Sequence, residues 1–162
     1  MAEDQYRRKF LTLVNDICEE LEYPPCADAP EFENMLAMEM ELGGIAFAMT
    51  HANDPAPERV VLEAIFGTPP AINTLEVLQR LMEINRELLS TTTAGFCFDG
   101  GSGKITYAYA FSMDKDGKTA RSVLETMTQI ALAASEWRSS YYLDEKNEEQ
   151  LQNMMFQLQA FA

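Results

Sequence analysis

The feature that most constrains the fold of this chain is a change of hydrophobic period at Met35. From Met35 to Thr50 apolar residues alternate with small or charged ones, and Gly43-Gly44 interrupts the alternation in the middle. A period of two is typical of a strand with one buried face, and two glycines accept the positive φ angles of a tight hairpin turn. The segment therefore predicts a β-hairpin whose first strand turns Leu36, Met38, Met40 and Leu42 to one face.

Helical and strand-like periods alternate along the rest of the chain. Helices are predicted over Asp4–Tyr23, from about Asn73 to Leu89 and over Thr119–Tyr142, and further strands over Arg59–Phe66, Phe96–Phe98 and Lys104–Phe111. Residues 26–34 are predicted as a loop, and His51 is predicted to lie in a polar turn. Short turns between successive strands favour antiparallel pairing. The predicted class is α+β, in the order α-β-β-β-α-β-β-α, with helices packed on a twisted antiparallel sheet.

The length of 162 residues fits one domain. We assign residues 1–143 to that domain and residues 144–162 to a charged joint followed by a short amphipathic tail. The first ten residues lack the apolar run of a signal peptide, and no stretch approaches the ~20 apolar residues that cross a bilayer. These features predict a cytoplasmic protein, in which Cys18, Cys26 and Cys97 are free thiols.

The charge of the chain argues against two classes of partner. Twelve Lys and Arg residues stand against 26 Asp and Glu residues, for a net charge of -14. This field repels phosphate backbones and anionic lipid, so we expect neither nucleic acid nor membrane as a partner.

The one segment that suggests nucleotide chemistry is the glycine-rich run from Phe98 to Lys104. A phosphate-binding loop needs a glycine where Phe98 stands, Ser or Thr where Ile105 follows the lysine, and a helix after it, whereas a strand is predicted here. The single histidine, His51, has no partner signature, and no metal-ligand spacing occurs. We therefore expect no catalytic residue, no cofactor and no metal, and a small enzyme using His51 or a cysteine is the least favoured alternative.

Methionine points instead to protein binding. The chain has ten methionines, and four of them lie in the first predicted hairpin. Thioether side chains adapt to irregular apolar partners, although they fill gaps in ordinary cores equally well. The sheet also has edges that can accept an extended partner segment by strand addition.

Four segments in order carry a resemblance to a known family: FGTPP after the third strand, LQRLMEIN in the second helix, AGFCFDGGSGKITYAYAF as a strand–turn–strand unit and ALAASEWRSSY closing the third helix. With these segments the chain resembles the class I type III secretion chaperones, the Tir chaperone family, from about Asp4 to Tyr142. The resemblance implies a cytoplasmic bacterial homodimer that binds the N-terminal chaperone-binding segment of one or more secreted effectors. The resemblance also implies that this homodimer keeps the segment soluble and competent for secretion, and that the secretion-apparatus ATPase is a further partner. The alternative is a regulatory protein of the same fold that binds a transcription regulator or an apparatus component.

Two sets of residues are candidates for these contacts, although each residue is also compatible with an ordinary core position. The expected dimer interface lies on the second helix, at Leu78, Leu81, Met82, Asn85 and Leu89. The expected effector-binding residues are Met38, Met40, Ile45, Phe47, Met49 and Ile65.

Overall fold

A computed structural model describes residues 2–26, 31–32, 35–52, 54–88, 92–143 and 152. The elements in chain order are α1 (Ala2–Glu20), β1 (Glu31–Phe32), β2 (Met35–Leu42), β3 (Ile45–Ala52), β4 (Arg59–Gly67), a 3-10 turn (Ala71–Asn73), α2 (Thr74–Leu88), β5 (Ala94–Asp99), β6 (Lys104–Ser112) and α3 (Ala120–Ser140). The predicted α+β class and the order of the long elements are confirmed. The loop predicted for residues 26–34 is wrong at Glu31–Phe32, which pair with the start of β2.

All the strands join one antiparallel sheet in the order β1-β2-β3-β4-β6-β5. Leu42 pairs with Ile45 across the first hairpin, and Gly43 and Gly44 have φ angles of 60° and 75°, as a two-residue turn of this kind requires. The pairing of β4 with β6 brings the second hairpin alongside the first. Among the described strands, the edges of the sheet therefore belong to the β1–β2 side and to β5.

Helices cover one face of this sheet, because alternate residues of every long strand are apolar. Helix α1 and helix α3 pack on that face, and Trp137 of α3 meets the ring of Phe66 with centroids 6.0 Å apart. The buried side chains of the strands on this face are Leu36, Ile45, Phe47, Met49, His51, Val60, Leu62, Ala64, Phe66, Ala94, Phe96, Ile105, Tyr107, Tyr109 and Phe111. The opposite face carries small and charged residues, such as Ala48 and Glu63.

Helix α3 is held at both ends. Thr119 caps its start in a capping box, since the Thr119 hydroxyl accepts from the Ser122 N–H and the Ser122 hydroxyl accepts from the Thr119 N–H. Near its end the Arg138 guanidinium donates to the main-chain oxygens of Phe66, Ile65 and Gly44, at 2.7, 3.1 and 3.2 Å. These three bonds fasten α3 to the end of β4 and to the β2–β3 turn.

One further expectation differs from the structure. His51 lies in β3 and is 1% exposed, because β3 continues to Ala52 and turns His51 to the covered face. Helix α2 buries Val77, Leu81, Ile84 and Leu88 and leaves Leu75 exposed. Apart from residue 152, the predicted joint and tail at 144–162 lie outside the described residues.

Candidate functional site

The six residues predicted to bind an effector do not meet at one accessible surface. Ile45, Phe47 and Met49 are at most 2% exposed, because helices cover their face of the sheet. Met38 and Met40 lie on the same face but near the β2 edge, where they are half-buried against the core. Ile65 is half-buried on the opposite face. Effector binding by these residues stays a prediction, and only Met38 and Met40 combine the covered face with access from an edge.

The β2 edge offers main-chain groups for a partner strand. In a two-residue hairpin the residues flanking the turn bond to each other, so Leu42 and every second residue before it point their main-chain groups toward β3. Ala37, Glu39 and Glu41 therefore point theirs away from the sheet. Within the described residues, β1 pairs only with Met35 and Leu36 on this side. The outward N–H and C=O groups of Ala37, Glu39 and Glu41 are a template for strand addition.

The β5 edge is blocked by a side chain. Asn85 of α2 accepts from the Phe96 N–H at 2.6 Å and donates to the Phe96 oxygen at 2.9 Å. An amide side chain that makes both bonds to one residue replaces a neighbouring strand at that position. Asn85 was expected at a dimer interface, and its observed partner within the chain is the outer edge of β5.

A groove of about 750 Å³ separates α1 from the start of α3. Its apolar lining includes Leu13, Met113 and Ala120. Sequence reasoning did not find this groove, because it forms between two segments that are about 100 positions apart in the chain. The basic run in the first helix, Arg7-Arg8-Lys9, was the available signal. The full lining is Gln5, Arg8, Lys9, Thr12, Leu13, Asp16, Met113, Lys118, Thr119 and Ala120.

The groove gathers positive charge in a strongly acidic protein. Arg8, Lys9 and Lys118 line it, and Asp16 is its only acidic lining residue among those described. Lys9 also forms an ion pair with Asp114. The hydrogen bonds from Lys9 and Tyr6 hold the pKa of the Asp114 carboxyl below its ordinary value. An apolar groove edged by cations fits a segment that carries both apolar and acidic side chains.

Helix α2 presents a second apolar surface beside its buried one. Ile72, Leu75 and Met82 are 91%, 71% and 58% exposed, Leu78 is half-buried, and Phe98 of β5 is exposed. We call these five residues the α2 patch. Four of the seven large apolar side chains that are exposed in the described structure belong to it. Leu75, Leu78 and Met82 share one side of α2 because they are three and four positions apart. Exposed apolar residues on a shared side are typical of an interface, whereas scattered ones need no explanation.

The α2 patch contains only some of the residues predicted for a dimer interface. Met82 and Leu78 belong to it, whereas Leu81 is 1% exposed within the core of its own chain. Leu89 lies outside the described residues. Leu81 therefore supports α2 from within, and Met82 is the residue that a partner can reach.

The glycine-rich turn holds its own anion. The Asp99 carboxylate accepts from the Gly101 N–H at 2.9 Å and from the Ser102 N–H at 3.2 Å, and it also binds the Ser102 hydroxyl. These bonds, led by that from the Ser102 side chain, lower the pKa of Asp99. The amides that a phosphate would need are occupied by this carboxylate, and the turn leads into strand β6.

No cluster of three or more His, Cys, Asp and Glu residues suited to a metal ion occurs in the described part of the chain. His51 is buried, and neither of its ring nitrogens has a hydrogen-bond partner. Burial lowers its pKa, and the charge of Arg7 acts in the same direction. The nearby Arg59 main chain acts to raise the pKa of His51, but it is not placed to make a hydrogen bond with either ring nitrogen. Among the described helices, none has a long enough apolar stretch to cross a bilayer.

Comparisons with known proteins establish the fold. No family model and no curated protein matches the sequence. The crystal structure of the ExsC-ExsE complex aligns with a TM-score of 0.60 at 17% identity, covering 82% of this chain and 92% of that chain. The structure of the HopA1-SchA chaperone-effector complex aligns with a TM-score of 0.58 at 21% identity, covering 81% and 94%. The chain shares its α+β fold with both of these proteins.

Proposed function

We propose that this chain is a non-catalytic chaperone that holds an extended segment of another protein, of the type III secretion class that its sequence resembles. The observation that carries the proposal is the fold shared with two proteins solved in complexes, one of them a chaperone-effector complex. The client is the N-terminal segment of a secreted effector in the bacterial cytoplasm. Delivery of that client to the secretion apparatus and its ATPase follows from the same resemblance.

The β2 edge supplies the main-chain part of client binding. An extended segment that pairs with Ala37–Glu41 continues the antiparallel sheet by one strand, and its alternate side chains lie over Met38 and Met40. Thioethers adapt to different apolar side chains, so this contact tolerates variation in the client sequence. Main-chain bonding gives affinity without demanding a particular sequence.

The groove between α1 and α3 supplies the side-chain part. A client segment places apolar side chains against Leu13, Met113 and Ala120 and acidic side chains toward Arg8 and Lys118. The remaining surface is strongly acidic and repels further anionic chains, so the positive groove also orients the client. Because the client orders as it binds, many modest contacts give only moderate net affinity.

The α2 patch is the proposed homodimer interface. A two-fold contact uses one patch on both subunits, so each of the five patch residues is buried twice. Asn85 fixes β5 beside α2, which keeps Phe98 in line with the helix positions. The rise of four residues in a helix is close to the rise of two residues in a strand. Residues about four positions before Asn85 are therefore level with Phe98, which is two positions after Phe96.

Co-purification from a host with an active secretion system tests the proposal. We expect the tagged chain to elute with a secreted protein, and cross-linked peptides to map to the N-terminal region of that protein. A transcription regulator or an apparatus component in its place would support the regulatory alternative. A chain that elutes only with general folding factors in such a host would contradict both functions.

A pair of variants at Glu39 locates the contact. Glu39→Pro removes an N–H that points away from the sheet, whereas Glu39→Ala removes only the exposed side chain. We expect the proline variant to bind the recovered client about tenfold or more weakly, since a main-chain bond is lost and the ring obstructs pairing. The alanine variant controls for side-chain effects and is expected to bind normally.

A second pair tests the groove. Arg8→Glu reverses an exposed charge in the lining, and Arg8→Lys keeps that charge. We expect the first variant to slow association with an acidic client segment more at low salt than at high salt, because screening weakens the interaction. Equal association rates for the two variants at low salt would exclude the groove from client binding.

A further inference from the structure

The end of α1 folds the chain back on the helix. The Tyr23 N–H donates to the Cys18 oxygen at 2.8 Å and the Glu22 N–H donates to the Glu19 oxygen at 3.1 Å. Glu22 has a φ angle of 57°. This bond pair with a left-handed residue is a Schellman motif, which terminates a helix and reverses the chain direction. Pro24-Pro25 follows and cannot extend the helix.

The returning chain places Cys26 beside the last turns of α1. The Cys26 N–H donates to the Asn15 side-chain oxygen at 3.0 Å, and Asn15 lies one helical turn before Cys18 on the same side of α1. Cys26 is half-buried against the core, and Cys18 is 3% exposed. Burial raises the pKa of the Cys18 thiol, the neighbouring Cys26 thiol raises it further, and the Cys26 N–H opposes both.

We propose that Cys18 and Cys26 are a reversible disulfide pair, which clips residues 23–26 to the end of α1. The Schellman motif and the Asn15 bond hold the returning segment in place, so that Cys26 lies beside Cys18. Cys97 is exposed on strand β5, in another part of the fold. The inference stands on the local geometry and does not depend on the proposed function.

Glutathione disulfide is a sufficient oxidant for this pair. The more accessible Cys26 thiolate attacks it, forming a mixed disulfide and releasing one glutathione thiolate. The Cys18 thiolate then attacks the Cys26 sulfur, and the bond to the second glutathione breaks. Two protein thiols are oxidised and one glutathione disulfide is reduced, and the two protons lost by the protein thiols end on the two glutathione thiols. Burial disfavours the Cys18 thiolate, so the second step depends on the position of the sulfurs in the folded chain.

The test uses the full chain with Cys97→Ala, which leaves only this pair of thiols. The variant is equilibrated in glutathione redox buffers, quenched with acid and analysed by intact mass and by peptide mapping. We expect a product lighter by two hydrogens, containing a Cys18–Cys26 cross-linked peptide. The equilibrium constant for its formation should be at least about tenfold larger in the native protein than in urea, since folding holds the thiols together.

Two matched variants make the outcome decisive. With Cys18→Ser added, the chain should stop at the glutathione adduct of Cys26. With Asn15→Ala added instead, the native advantage should shrink toward the value in urea, while unfolding remains cooperative. The proposal is overturned if native Cys97→Ala protein accumulates only the glutathione adduct, or if its equilibrium constant equals that of the denatured chain.

Discussion

Replacing His51 by leucine is expected to make the folding stability of this protein less dependent on pH. His51 is buried under α1, where its ring lies 5.4 Å from the ring of Phe10, and neither of its nitrogens is hydrogen-bonded. A buried polar group without a partner costs about 1–3 kcal/mol relative to an apolar side chain of similar shape. His51→Leu should therefore match or exceed the wild-type stability at neutral pH.

The sign of the pH effect follows from the lowered pKa of His51. Its ordinary value is 6.5, and burial is the largest cause of the decrease in the folded protein. The unfolded chain consequently binds a proton here at a higher pH than the native chain does. The free energy of unfolding has its full value above the ordinary pKa of histidine. It falls as the pH drops through that pKa toward the lowered pKa of His51 in the folded protein. One proton of linkage corresponds to a loss of at most about 1.4 kcal/mol between about pH 7.5 and about pH 5.5.

Urea unfolding followed by the fluorescence of Trp137, the single tryptophan, measures this difference. The free energy of unfolding of the wild type, relative to that of His51→Leu, should decrease from the higher to the lower of these two pH values. His51→Gln keeps a buried polar group that does not titrate, so it should be less stable than the leucine variant but equally insensitive to pH. A wild type and a leucine variant with parallel pH profiles would refute the assignment of the proton to His51.

Four other substitutions test individual contacts of the fold and of the proposed interface. Asn85→Ala leaves both main-chain groups of Phe96 without their side-chain partner and should lower the free energy of unfolding in urea by about 1–3 kcal/mol. An unchanged stability would contradict the pair of hydrogen bonds between Asn85 and Phe96. Met82→Asp should give monomers of 18.2 kDa in sedimentation while the near-UV circular dichroism stays native, whereas Leu81→Asp should unfold the chain because it buries a charge. A folded Leu81→Asp protein would contradict the buried position of Leu81. Arg138→Lys should lose about 1.5–3 kcal/mol, because an ammonium group cannot reproduce three bonds from one planar guanidinium, and full stability of this variant would contradict their value.

The pairing register of the first hairpin was predictable because the two-residue turn at Gly43-Gly44 fixes it. Once Leu42 pairs with Ile45, the period of two assigns every side chain from Met35 to Thr50 to a face. The same reasoning failed at His51, since its polar neighbours suggested a turn while pairing with Leu36 carries the strand onward. A local pattern does not reveal where a partner strand ends.

The candidate surfaces were less predictable than the fold. Leu81 and Met82 are adjacent apolar residues on one helix, and only packing against the sheet shows that one is buried and the other exposed. The groove between α1 and α3 needs Leu13 and Met113 to meet across the chain, which no periodicity encodes. The role of Asn85 depends on the position of β5, so the helix pattern alone marked it as unusual without giving its partner.

Amide hydrogen exchange on the complex with its co-purified client tests the central claim most directly. If an extended client segment adds to the β2 edge, the amides of Ala37, Glu39 and Glu41 exchange quickly in the free chain and become protected when the client binds. The amides of Met38 and Met40 face β3 and should be protected in both states. A stable complex in which the three outward amides exchange as fast as in the free chain would contradict strand addition at β2.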